Sequence, residues 1–176
     1  MSCKVWIWNY VGSKSAFGHA AMSIYGGEPS GTYYVSWWPN CQSDGSGGSG
    51  WDGKKREYFG LCEPSRSRKF AKDMEDEFGK WPDRSVVLAG LDETAMKKFW
   101  TDLTSDPRAR WSATTTNCAA AVAAALNAGG SGSYFGFLEE TMFYALETNW
   151  WSWTPESVHA YAVKLQQKLR EAGKLP

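Results

Sequence analysis

The chain has 176 residues, and its 19 Lys plus Arg balance 19 Asp plus Glu, for a formal net charge of zero. That length suits one domain whose core needs no disulfide or metal to stand. The even charge balance, with no basic run, argues against nucleic acid or an anionic membrane surface as partner.

The opening "MSCKVWIWNYVGS" lacks the basic and apolar regions of a signal peptide. No apolar run approaches the roughly 20 residues that span a bilayer. The expected product is soluble and made in a cytoplasm. "KVWIWNYV" alternates and is rich in β-formers, which predicts a first strand. "SKSAFG" reads as a turn, "HAAMSIY" as a second strand, "GGEPSG" as a turn, and "TYYVSWW" as a third strand ended by Pro39. Three short strands with tight connections predict an antiparallel meander.

Residues 43–55, "SDGSGGSGWDGKK", are dominated by Gly and Ser and predict a loop. "SRSRKFAKDMEDEFGK" is highly charged with weak periodicity, so residues 56–84 are expected to form a partly helical surface excursion. "SVVLAGL" predicts a buried strand. Asp92 then caps a helix whose Met96, Phe99, Trp100 and Leu103 share one face, and "DPR" ends it. In "TTTNCAAAVAAALNAGG", Asn117 or Thr116 is the N-cap of a helix over about 118–128, with Gly129 and Gly130 as stop signals. "FLEETMFYALE" predicts a further helix. "WTPESVHAYAVKLQQKL" predicts another, with Thr154 as cap, Pro155 in the first turn, and Val158, Tyr161, Leu165 and Leu169 facing the core.

Four cysteines, Cys3, Cys41, Cys62 and Cys118, form no C-x-x-C pair, and the only histidines are His19 and His159. Zinc at ordinary ligand spacing is not expected, nor is any other metal or cofactor, and all four cysteines are expected to be free thiols. Eleven tryptophans predict a core built from large aromatics, with an aromatic groove for an extended substrate as the alternative.

Cys118 sits where a helix N-terminus offers unpaired N–H groups and a positive partial charge. Both favour a thiolate. The Cys118 backbone N–H and a neighbouring donor, Asn117, are also placed to hold an oxyanion. A thiol nucleophile calls for a base. His159 lies on the flank of the C-terminal helix, whereas His19 follows Gly18 at the start of a strand, which fixes its direction. His19 is therefore the better candidate. Hairpin pairing that sets Ser36 or Trp38 opposite His19 puts Tyr34, Ser36 and Trp38 on its face. Ser36 is then the compact polar group that orients the ring, with a backbone carbonyl or Glu28 as alternatives.

"GHA" on a strand, "YVSWWP" ending another, and "TTNCAAAVAAAL" with its Gly pair a hundred residues later resemble circularly permuted papain-like thiol enzymes. That group includes NlpC-type peptidoglycan peptidases, lecithin:retinol acyltransferase-like enzymes and toxin domains of type VI secretion effectors. "WTPESVHAYA" resembles the closing segment of the effector-type members. The resemblance implies an α+β fold, an antiparallel sheet packed against helices with the Cys-bearing helix on the sheet. It also implies Cys118 as nucleophile and His19 as base. The second histidine usual in the acyltransferase-like group is missing near His19.

The expectation is therefore a single catalytic domain over 1–176, a cysteine hydrolase that cleaves a peptide bond in a protein or in peptidoglycan. The resemblance further implies an antibacterial effector, delivered by a secretion system and neutralised by an immunity protein. The alternatives are a thioesterase or acyltransferase acting on lipids, and a non-catalytic aromatic module that binds peptide or glycan.

Overall fold

The computed structural model describes residues 3–9, 18–24, 33–39, 64–66, 68–77, 79–112, 115–135 and 153–175. The Gly/Ser-rich stretch 43–55, the predicted helix over 137–147, Glu28, Cys41 and Cys62 lie outside these residues.

Strands β1 (Cys3–Trp8), β2 (His19–Ile24), β3 (Tyr33–Val35) and β6 (Arg84–Leu88) form one antiparallel sheet in the order β3-β2-β1-β6. The predicted meander is present. The predicted third strand divides, however: Trp38–Pro39 (β4) leaves the main sheet to pair with Pro64–Ser65 (β5). The sheet's two faces follow from the alternation of side chains along each strand. Cys3, Val5 and Ile7, with Ala20, Met22, Ile24, Val35, Val86 and Leu88, face a large core. Trp6, Trp8, Ala21 and Tyr34 face the other way, onto Phe70 and Met74 of α1 (Phe70–Asp76).

The large core is closed by α2 (Glu93–Ser105), α3 (Cys118–Ala128) and α4 (Pro155–Glu171). The fold is α+β, with the Cys-bearing helix against β2. Caps form as the sequence predicts: Asp92 accepts from Ala95 N–H, Asn117 from Ala120 N–H, and Thr154 from Ser157 N–H. The alanines let α3 lie close to its neighbours. A Cβ at Gly129 would sit 2.8 Å from Met96 Cγ, so only glycine fits where α3 ends against α2. On α4, Val158, Tyr161, Leu165 and Leu169 are buried as the periodicity requires. Leu165→Ala is expected to cost about 2–5 kcal/mol, because a fully buried side chain leaves a cavity its neighbours only partly fill. Urea unfolding followed by circular dichroism measures it.

Two expectations need correction. β6 is an edge strand with only Val86 and Leu88 buried, while Ser85 and Val87 are exposed, because one of its faces has no helix among the described residues. Of the charged segment, residues 56–63 lie outside the described residues; the rest is helical in part and exposed on one face as expected, but it is also packed onto the sheet, with Phe70, Asp73 and Glu77 buried. The described tryptophans are mostly core, with Trp6, Trp8, Trp37, Trp100, Trp111 and Trp153 buried and Trp81 exposed.

Candidate active site

His19 opens β2 immediately after Gly18, whose φ of 67° lies in the left-handed region that glycine enters without strain. β1 sets Trp8 directly across from His19. On the other side the β2–β3 ladder pairs Met22 with Val35 and Ser23 with Tyr34. Continued, that register brings Trp38 opposite His19, one of the two pairings expected from the sequence. Both tryptophan rings meet the imidazole, at 5.4 Å for Trp8 and 4.6 Å, edge-on, for Trp38.

The ring is fully buried and held at one nitrogen. His19 Nε2 lies 3.2 Å from Ser36 Oγ and 3.0 Å from Asp73 Oδ2. Ser36 thus touches the ring as the sequence suggested, but the charged partner is Asp73, which sequence reasoning missed. Asp73 is itself saturated. Tyr34 donates its hydroxyl to Oδ2 at 2.7 Å, and Arg68 donates Nε–H to Oδ1 at 2.7 Å. Burial pushes the Tyr34 phenol above its usual range and Asp73 raises it further, so Tyr34 acts as a neutral donor.

Burial alone would push the His19 imidazolium down. The Asp73 carboxylate, and after it Cys118, outweigh burial through charge and hydrogen bonding and lift His19 to about 10. Burial works against the Asp73 carboxylate as well. The His19 charge, Arg68 and the Ser36 hydroxyl reverse this and hold it below the usual carboxylate range. With Nε2 engaged by Asp73 and Ser36, Nδ1 is the ring atom left for Cys118. Nδ1 closes no hydrogen bond of ordinary geometry, although Cys118 acts on the ring strongly enough to raise its proton affinity.

Cys118 is the first residue of α3 and half-buried, within reach of a substrate. Its N–H and that of Ala119 have no acceptor inside the helix. The Asn117 side chain is already engaged: Oδ1 caps α3, and Nδ2 donates to the Trp153 carbonyl at 2.8 Å. It fixes where the helix starts, and so where Cys118 sits. Cys3 is buried in the core with its thiol pushed up to about 12, chiefly by burial, and is chemically inert. His159, on α4, meets Arg84 at 3.1 Å and takes no part in this cluster.

An open groove of about 520 Å³ runs along α3 over Ala120, Ala124 and Ala128, walled by Phe99 and Trp153. Ala120 lies about 200° around the helix from Cys118, so the groove is on a different flank from the thiol. Among the described residues, no group of three or more His, Cys, Asp or Glu side chains could hold a metal ion. None of the described helices is long and apolar enough to cross a membrane.

Comparison with known proteins gives two kinds of match. The profile of the IcsB middle domain covers residues 68–175. An 82-residue stretch, 47% of the chain, is 35% identical to the multifunctional-autoprocessing repeats-in-toxin protein of Vibrio vulnificus and, equally, to that of Vibrio cholerae serotype O1. The match spans only 1% and 2% of those much longer proteins. No solved structure matches.

Proposed function

The chain belongs to the IcsB middle domain family, and on that premise we propose that it is a bacterial toxin or effector domain carrying a thiol-dependent acyl-transfer centre. Cys118 is the nucleophile, His19 the base and Asp73 the residue that orients it. The observation that carries this reading is a buried imidazole held by a carboxylate at Nε2 and close enough to a helix-starting cysteine to interact with it electrostatically.

The chemistry follows from these positions. Asp73 and Ser36 fix the ring, and an imidazolium facing Cys118 favours the thiolate. The thiolate attacks a carbonyl, and the N–H groups of Cys118 and Ala119 receive the developing oxyanion. His19 then gives its Nδ1 proton to the leaving group, so that an acyl group stays on sulfur. In the second half-reaction His19 takes a proton from the acceptor as it attacks the thioester. With water as acceptor the reaction is hydrolysis of an amide bond, in a protein or in peptidoglycan. The domain acts after delivery into a target cell by a secretion system, and a cognate immunity protein neutralises it in the producer.

Intact-mass spectrometry tests the common first step. Purified protein is incubated separately with an activated peptide ester and with a long-chain acyl thioester. An adduct on Cys118 that is absent from Cys118→Ala supports the centre. A peptidyl adduct that turns over favours hydrolysis, and a persistent lipid acyl adduct favours transfer. No adduct from either probe, with toxicity intact in Cys118→Ala, would sink the proposal.

A further inference from the structure

We propose that Arg68 and Trp38 form a clamp that positions the His19 imidazole, Arg68 by locking the Asp73 carboxylate in place and Trp38 by walling the ring. The inference rests on the catalytic reading above and adds two positioning residues to it.

The need for such a clamp follows from α1. This helix has seven residues, no side-chain hydrogen bond at its N-cap Lys69, and only Phe70 and Met74 in the aromatic cluster on its face of the sheet. A helix that short has little stability of its own, so it does not by itself fix the rotation of Asp73 about the helix axis. Arg68 does. Its Nε–H donates to Asp73 Oδ1 and its Nη2 to Asp76 Oδ2. These carboxylates stand three residues apart, neighbours on one face of the helix. A planar fork that holds both sets the helix rotation, and the Arg68 side chain is only 7% exposed.

The same guanidinium lies over the Trp38 ring, 4.6 Å from its centroid, and the Trp38 ring meets His19 edge-on at 4.6 Å. One cation therefore holds the imidazole's acceptor and the indole beside it. The backbone explains how they meet. Trp38 pairs with Ser65 in the β4–β5 ladder, which brings residues 64–66 alongside Trp38. Arg66 ties that segment to the end of α2 through the carbonyls of Thr104 and Asp106. Lysine is a poor replacement for Arg68, because its compact ammonium lacks the planar fork that pairs with two carboxylates while lying on an indole.

Two readouts test the clamp. The first is the rate of Cys118 alkylation by iodoacetamide at neutral pH, read by peptide mass. The second is the downfield imidazole N–H proton resonance of His19, which His159→Gln assigns because the chain has only two histidines. Arg68→Met and Arg68→Lys are each expected to slow alkylation roughly tenfold or more and to weaken or remove the His19 resonance. Trp38→Leu changes both in the same direction by less. If Arg68→Met does not fold, as judged by circular dichroism, Arg68→Lys carries the test. Alkylation within about twofold of wild type and an unchanged resonance in Arg68→Lys overturn the clamp. If wild-type Cys118 is itself no more reactive than a free thiol, the catalytic reading fails instead, and the His19 resonance still reports on the clamp.

Discussion

His19→Ala is expected to slow acylation of Cys118 by about 10²–10⁴-fold at neutral pH, the range spanned by a positioned general acid–base group. The sequence has one other histidine. That residue, His159 on α4, is engaged with Arg84 of β6 and lies outside the cluster, so His159→Ala is expected to leave the rate unchanged. The loss has two sources, both within the acylation half-reaction. Without the imidazolium the thiolate loses its counter-charge, and without a proton donor the leaving group departs as an anion. The fold is expected to persist, because Asp73 keeps Arg68 and Tyr34 as donors when His19 is removed. Stopped-flow acylation with an activated ester measures the rate, and circular dichroism checks the fold. An unchanged rate in folded His19→Ala would remove His19 from the mechanism.

His19 and Cys118 stand out in the sequence as candidates, and Asp73 does not, for a physical reason. Cys118 is marked by its own helix: an Asn cap before it, an alanine run after it, a Gly pair at the end. His19 is marked by scarcity and by the Gly–His step that starts a strand. Ser36 followed from strand alternation, because even-numbered residues from Tyr34 to Trp38 face His19 while Val35 and Trp37 enter the large core. Asp73 sits in a run with Glu75, Asp76 and Glu77, where a buried carboxylate looks no different from an exposed one such as Glu75. One local signal was available. Phe70, Asp73, Met74 and Glu77 fall at i, i+3, i+4 and i+7, the spacing of one helix face. Two acids on an apolar stripe suggest a face that meets something polar. What that is depends on contacts from residues 34, 36 and 19, and local sequence does not carry tertiary pairing. The division of the third strand was hidden for a similar reason: Trp38–Pro39 pairs with residues 64–65, far along the chain.

Asp73→Asn is expected to lower acylation by about 10²-fold or more, and also to change the sign of a pH effect on stability. The kinetic loss has a donor–acceptor origin. His19 Nε2–H donates to Asp73 Oδ2, and so does the Tyr34 hydroxyl. An amide group has one acceptor oxygen where the carboxylate had two. With that oxygen drawn to Arg68, the amide N–H₂ faces Nε2. The ring then gives up its Nε2 proton and settles as a neutral tautomer, which weakens both the charge opposite Cys118 and the ring's orientation. The stability effect follows from linkage. In the wild type the folded His19 pKa, about 10, is raised above that of the unfolded chain. Its contribution is full below about pH 6.5 and is lost as pH rises through about 10. Asp73 is shifted the other way, so its contribution is full above its ordinary value and is lost only as pH falls through its lowered one. Between about pH 6.5 and 10 the stabilisation from the pair therefore declines as pH rises. In Asp73→Asn the main cause that raised the ring is gone, and burial, the largest influence on it, favours the neutral imidazole. A buried ring with a depressed pKa stabilises above that pKa and destabilises as pH falls. Glu77, buried nearby, is pushed up chiefly by that burial; the His19 and Asp73 charges act on it in opposite directions, so losing both has offsetting effects on it. Urea unfolding of wild type and variant at the two ends of this range gives the difference directly. The gap between them is expected to be widest at the acidic end. A gap that is constant with pH would mean that His19 is not held as a cation by Asp73, and the mechanism would lose its ion pair.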